Sequence, residues 1–213
     1  MEIRDFYNKH AGETCLLVGN GPNLVQSPPE RFDYPSFGMN TAHLWEGDWI
    51  PTYYTAVDMR VMVEFGADVY EKFRHIPKFI PRPNLNRWEG DNFYRFLHSP
   101  GGLYRKHYNA SHETSMWRDG IGYYNIMHVA IQLAWYMGFE TMLMIGVQHR
   151  PHKAQVHFWG TDHGMRSNHF PEWLEGYKYL ADHVNLINIS PDTWVSKDII
   201  PRDDWSKYEN KNA

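Results

Sequence analysis

Short unbroken apolar runs alternate along this chain with longer stretches whose apolar residues recur every three or four positions. Thr14-Cys15-Leu16-Leu17-Val18 is the first run, and no polar residue alternates through it. Such a run suits a strand covered on both faces, as in a parallel sheet. It ends in Gly19-Asn20-Gly21-Pro22-Asn23-Leu24, a turn whose proline suits the first position of a following helix. Further strands are predicted over Ser36 to Met39, Tyr53 to Val57, Lys78 to Ile80, Thr141 to Val147 and Val184 to Ile189. Helices are predicted over 61–73, 124–137 and 173–182. In the second of these, Ile126, Val129, Ala130, Leu133 and Met137 fall on one stripe, and Gly138 follows as a C-terminal cap. The stretch 84–117 shows no periodicity and reads as a loop-rich insertion or lid.

Strands alternating with helices imply an α/β, Rossmann-like, mostly parallel sheet with helices on both faces. The whole chain, 1–213, reads as a single nucleotide-binding domain, because one core can still grow at this length. In such sheets a ligand lies beyond the carboxyl ends of the strands. The positions to interrogate are therefore Gly19 to Asn23, Asn40, Asp58, Gln148 to Arg150 and Ser190 to Thr193.

Composition narrows the function classes. Nine Trp, 14 Tyr and 11 Phe supply too much apolar area for a disordered chain. The balance of 21 basic against 25 acidic residues, a formal −4, argues against broad electrostatic capture of nucleic acid. No apolar stretch approaches the ~20 residues of a bilayer span, and MEIRDFYNKH is no apolar leader. A single cysteine, Cys15, excludes an internal disulfide and a four-cysteine zinc site, and a cytoplasmic setting is expected. A homo-oligomer stays open.

The Gly19-Asn20-Gly21-Pro22 turn carries the chemistry most directly. Two glycines let backbone pass close to a ligand, and a helix start offers N–H groups to an anion. It is neither the full dinucleotide fingerprint, since Leu24 stands at the third glycine, nor a P-loop, since no Gly-Lys-Ser/Thr follows. The plain alternative is a strand-to-helix turn without a ligand. Five histidines, His149, His152, His157, His163 and His169, crowd a short stretch. They offer a base near neutral pH, a metal set or a group of exposed loop residues. No His-Glu-x-x-His and no Asp-x-Asp occurs, so no metal site and no required cofactor is predicted. Arg150 and Lys153 follow a strand and suit phosphate neutralisation.

Val18-Gly19-Asn20-Gly21-Pro22-Asn23-Leu24 resembles the amino-terminal nucleotide-binding turn of the bacterial family-42 sialyltransferases. It equally resembles a broader family that includes motility-accessory-factor glycosyltransferases and the archaeal 6-hydroxymethylpterin pyrophosphokinase. Phe37-Gly38-Met39-Asn40, Tyr53 to Asp58, Gly122 through Gly138 to Gly146, and Ile187-Asn188-Ile189-Ser190-Pro191-Asp192-Thr193 are similar to later blocks of the same families, in the same order. The blocks span about half the sequence. The resemblance implies a nucleotide held by Gly19, Asn20, Gly21, Pro22, Asn23, Asn40, Asp58, Gln148 and Ser190. It implies a general base at His169, with His163 and His157 in reserve, and a phosphate contact at Arg150. Gly146-Val147-Gln148 departs from the usual Gly-x-Asp, which puts an acidic role there in doubt.

The leading expectation is thus a metal-independent glycosyltransferase that moves a sugar from a nucleotide-sugar donor to an acceptor hydroxyl on a glycan, a protein or a modified base. One alternative is a pyrophosphokinase or nucleotide-phosphoryl transferase using Mg²⁺, with Asp58 or Asp162 as ligands. Another is a non-catalytic nucleotide- or nucleic-acid-binding protein using Arg82, Arg87, Arg95, Arg105 and Lys106 among its aromatic residues.

Overall fold

The structure, a computed structural model, describes residues 2–82, 90–97, 113, 116, 121–122, 124–149, 157–160 and 170–210. Among these residues seven strands form one sheet: β1 (Thr14–Val18), β2 (Ser36–Met39), β3 (Tyr53–Thr55), β4 (Lys78–Pro81), β5 (Phe93–Phe96), β6 (Thr141–Ile145) and β7 (Asn185–Asn188). Their order is β5-β4-β3-β2-β1-β6-β7, and every pairing is parallel. This is the expected Rossmann-like α/β sheet.

Because side chains alternate along a strand, each buried strand serves two cores. Cys15 and Leu17 of β1, with Met142 and Met144 of β6, face helices α3 (Ile126–Tyr136) and α4 (Phe170–Ala181). Leu16 and Val18, with Leu143 and Ile145, face α1 (Met59–Glu64) and α2 (Gly66–Lys72). Burial on both sides explains why these runs are apolar throughout. Cys15 is fully buried and its thiol is pushed well up by burial, so it is a core residue.

Several predicted elements change shape. The stretch read as an insertion, 84–117, contributes β5, which pairs with β4 at the sheet edge. Its Tyr94 and Phe96 are buried while Arg95 is exposed, the alternation of an edge strand. The helix predicted over 61–73 is two helices meeting at Phe65, whose ring packs 5.1 Å from His43. Strand β4 runs one residue beyond the predicted Lys78 to Ile80 and includes Pro81. Helix α3 is buried nearly all round rather than along one stripe, because it lies centrally against β1, β2 and β3. It starts where Asn125 accepts the His128 N–H at 3.0 Å, and Gly138 just beyond it has φ +86°. The carbonyls of Tyr136, Met137 and Gly138 accept N–H groups of Asn8, His10 and Gly12, which tie the amino-terminal segment down.

Candidate functional site

Strands β2 to β5 lie on one side of β1, and β6 and β7 lie on the other. The order reverses between β1 and β6, and in open parallel sheets ligands bind in the crevice beyond the carboxyl ends at such a switch point. Here the β1 turn, 19–23, meets the β6 end, 146–149.

That meeting is made by backbone. Gly19 N–H donates to the Ile145 carbonyl at 2.8 Å, and Gly21 N–H to the Gly146 carbonyl at 2.8 Å. A Cβ on Gly19 would stand 2.6 Å from the Gly146 oxygen, and one on Gly21 at 2.5 Å. Gly146 itself has φ +66°, and a Cβ there would run into the Gly19 carbonyl. The glycines expected to let a ligand approach instead admit the protein's own second strand end. The helix expected after Gly21 is a five-residue 3-10 turn, Pro22–Gln26, in which Leu24 N–H returns to the Gly21 carbonyl at 3.0 Å. Pro22 has no N–H, so this turn offers an anion less than an α-helix start would.

The other sequence-predicted residues divide into two sets. Asn23 is buried and its amide donates to the Pro191 carbonyl, which straps the β1 turn to the β7 turn. Ser190 is buried too: its hydroxyl donates to the Met144 carbonyl at 3.2 Å and accepts the Val147 N–H at 3.0 Å. The Gln148 carbonyl accepts the Trp194 N–H at 2.9 Å. These three knit the β1, β6 and β7 ends together. Asn20 and Asn40, by contrast, are half-buried at the edge. Asn20 donates to the Met39 carbonyl at 2.9 Å, and its Oδ1 has no partner among the described residues. An acceptor buried without a donor costs about 1–3 kcal/mol, which a ligand donor would recover. Asn40 holds φ +45°, with its carbonyl accepting the Tyr54 hydroxyl at 2.6 Å. Asp58 caps α1 by accepting the Arg60 N–H at 2.9 Å, and it pairs with the Arg60 guanidinium at 2.8 Å. His169, Arg150, His152, Lys153, His163, Asp162, Arg87, Arg105 and Lys106 lie outside the described residues.

The structure gives His149, one of the five histidines of the sequence reading, partners that reading did not name. His149 stands four residues past the end of β6, holds φ +48° and shares a 2.6 Å hydrogen bond between its Nε2 and the Tyr177 hydroxyl. The Tyr177 ring stands edge-on to His128, 4.6 Å between centroids, and Trp173 lies 5.4 Å from His149. Burial against these rings pushes His149 down to about 4, and His128, fully buried, to about 3. Both imidazoles are neutral near pH 7, so His149 is a weak base but a good neutral hydrogen-bonding group. Its place in the turn after a buried strand was the available signal; Tyr177, on a separate helix, left none.

The turn 157–160 lies on the other side of the β1 turn. Phe158 N–H donates to the Asn20 carbonyl at 2.9 Å, and Trp159 Nε1 donates to the Thr41 hydroxyl at 3.0 Å. His157 stacks on Trp159, with 5.1 Å between ring centroids. Between this turn and the 40–47 segment lies a cavity of about 360 Å³, lined by Trp45, Glu46, Phe158 and Trp159 together with Val25 and Leu44.

No protein-family model and no curated protein matches this sequence. The fold is similar to that of a solved structure, the sialyltransferase CST-II in complex with trisaccharide acceptor and CMP. The TM-score is 0.52 over 88% of this chain and 85% of that one, at 11% identity. The likeness at that identity is one of fold: this chain has a sialyltransferase-like sheet.

Proposed function

We propose that this protein is a glycosyltransferase that moves a sugar from a nucleotide-sugar donor to an acceptor hydroxyl. The observation that carries the reading is the switch-point crevice of a sialyltransferase-like sheet, where the Asn20 carboxamide oxygen is buried without a donor among the described residues. The nucleotide lies across the β1–β6 reversal, contacted by Asn20 and Asn40, with the neutral His149 imidazole beside it. Gly19, Gly21, Asn23 and Ser190 shape that floor through backbone and buried bonds. His169 takes the proton of the acceptor hydroxyl as its oxygen attacks the anomeric carbon. The bond from that carbon to the phosphate oxygen breaks, and the electron pair leaves with the nucleotide, neutralised by Arg150. The step requires no metal. The pyrophosphokinase alternative gains no support from Asp58, whose carboxylate is engaged by Arg60.

A panel of nucleotide sugars read by thermal shift tests binding, since a ligand of the native state raises its melting temperature. Turnover then tests the base: His169→Ala is expected to lower kcat by roughly 10²–10⁴ with nucleotide affinity within a few-fold. Full activity in the His157, His163 and His169 alanine variants alike would remove the histidine base from this mechanism. Loss of turnover in excess chelator, restored by Mg²⁺, would favour the metal-dependent alternative.

A further inference from the structure

The cavity beside the 157–160 turn is built from aromatic walls that are already held in place. The Trp45 indole donates to the Glu30 carboxylate at 2.5 Å, and the Trp159 indole donates to Thr41. With both N–H groups used, the two side chains offer the cavity carbon surface. Phe158 sets its edge against Trp45 at 5.3 Å, and His157 covers one face of Trp159. Among the described residues the charge of the lining is one-sided. Glu46 is its charged residue, and Glu30 lies directly behind Trp45. The nearby Lys72 ammonium is occupied by the carbonyls of His43 and Trp45.

Such a lining selects by chemistry. These carboxylates, with no cation left to offset them among the described residues, repel phosphate, so a nucleotide's charged end is disfavoured. Hydroxyl groups donate well to a carboxylate, and flat apolar C–H surface packs on aromatic carbon. A pyranose carries both features on one ring, and the cavity volume falls within the range of small-ligand sites. Its wall is bonded to the Asn20 turn through the Phe158 N–H, so a ring seated there adjoins the proposed donor site.

We propose that this cavity binds one neutral sugar ring. That the ring belongs to the acceptor rests on the glycosyltransferase reading above; the sugar binding itself does not. The test is ligand-observed NMR titration of the full chain with methyl β-galactoside, methyl α-glucoside, methyl N-acetyl-β-glucosaminide, galactose 6-phosphate and CMP. At least one neutral glycoside is expected to bind the parent more tightly than galactose 6-phosphate. Trp159→Ala, which removes a wall, and Val25→Trp, which fills the space, are each expected to weaken the glycoside about tenfold or more while CMP binding holds. Glu46→Gln, at an exposed position, is expected to narrow the gap between glycoside and sugar phosphate, which a change in folding alone would not do. If Trp159→Ala does not fold, Val25→Trp and Glu46→Gln carry the test. The proposal is overturned if no glycoside binds the parent, if the variants leave glycoside affinity unchanged, or if they weaken CMP instead, which would make the cavity a base site. Glycoside binding without consumption of any nucleotide sugar would keep the sugar cavity and defeat the transferase reading. Donor turnover without glycoside binding would do the reverse.

Discussion

The two flanks of the β1 turn are built on opposite principles. On the β6 and β7 side, the ends of three strands are closed on one another by bonds and close packing of Gly19, Gly21, Gly146, Asn23 and Ser190, with the Asn23 Oδ1 left without a partner among the described residues. On the β2 side, Asn20 and Asn40 stand at a half-buried edge, and the aromatic turn 157–160 borders a cavity. A parallel sheet places every strand's carboxyl end at the same edge, but it does not decide which ends stay available to a ligand. Here the closed flank is bonded within the protein, and the open flank keeps half-buried side chains at the edge. A residue singled out by its place at a strand end therefore belongs to one or the other, and only the bonds it makes tell which.

The largest effects should come from breaking the closed flank. Gly146→Ala adds a Cβ at φ +66° against the Gly19 carbonyl and should cost about 3 kcal/mol or more, read as a lower urea midpoint. Gly21→Val should behave alike, because backbone stands in its way. A Gly21→Val protein with the parent's midpoint and only a binding defect would show that the turn is a ligand cradle after all.

Acid should act on the same flank. His149 and His128 are neutral when folded, at about 4 and about 3, whereas an unfolded imidazole titrates near ~6.5. Below that unfolded value the unfolded chain binds protons first, so stability is full above about pH 6.5 and declines as the pH falls toward the folded values. The loss should be on the order of 3 kcal/mol, and His128→Gln should flatten the curve of stability against pH. A parent curve that is flat from pH 7 to 4.5 would contradict the burial of these rings.

Ser190→Ala leaves the buried Val147 N–H without its acceptor and should cost about 1–3 kcal/mol in denaturant unfolding. The smallest change is expected on the open flank. Glu46→Gln should stay within about 0.5 kcal/mol of the parent, since the side chain is exposed and makes no bond among the described residues. A larger loss there would mean that the open flank carries structure too.

Much of the fold was legible because a strand buried on both faces must be apolar at consecutive positions. Thr14–Val18 and Thr141–Ile145, neighbours inside the sheet, are the clearest runs and were placed within two residues. Strand β5 was not legible: Phe93-Tyr94-Arg95-Phe96 is four residues at a sheet edge, too short for its alternation to stand out. Likewise Phe65 looks helical in sequence, and its departure from the helix places its ring against His43, a contact made across 22 positions of chain. The site was legible as a set of addresses. Strand ends could be named, but His149 gained its character from Tyr177 and Trp173 on another helix.

By itself the sequence determined the alternation of strands and helices and the parallel character of the sheet, and it pointed to the carboxyl edge of the strands, because apolar patterning and turn chemistry act over a few residues. The tertiary structure decided what the glycines are for, which asparagines are strapped down, and where the aromatic cavity opens. Those outcomes depend on contacts such as Gly21 with Gly146, Asn23 with Pro191 and Trp159 with Thr41, each joining residues more than a hundred positions apart. Nothing in a local run of residues encodes which distant carbonyl will arrive beside a glycine, so the same Gly-Asn-Gly-Pro reads as a ligand cradle until the second strand end is seen lying against it.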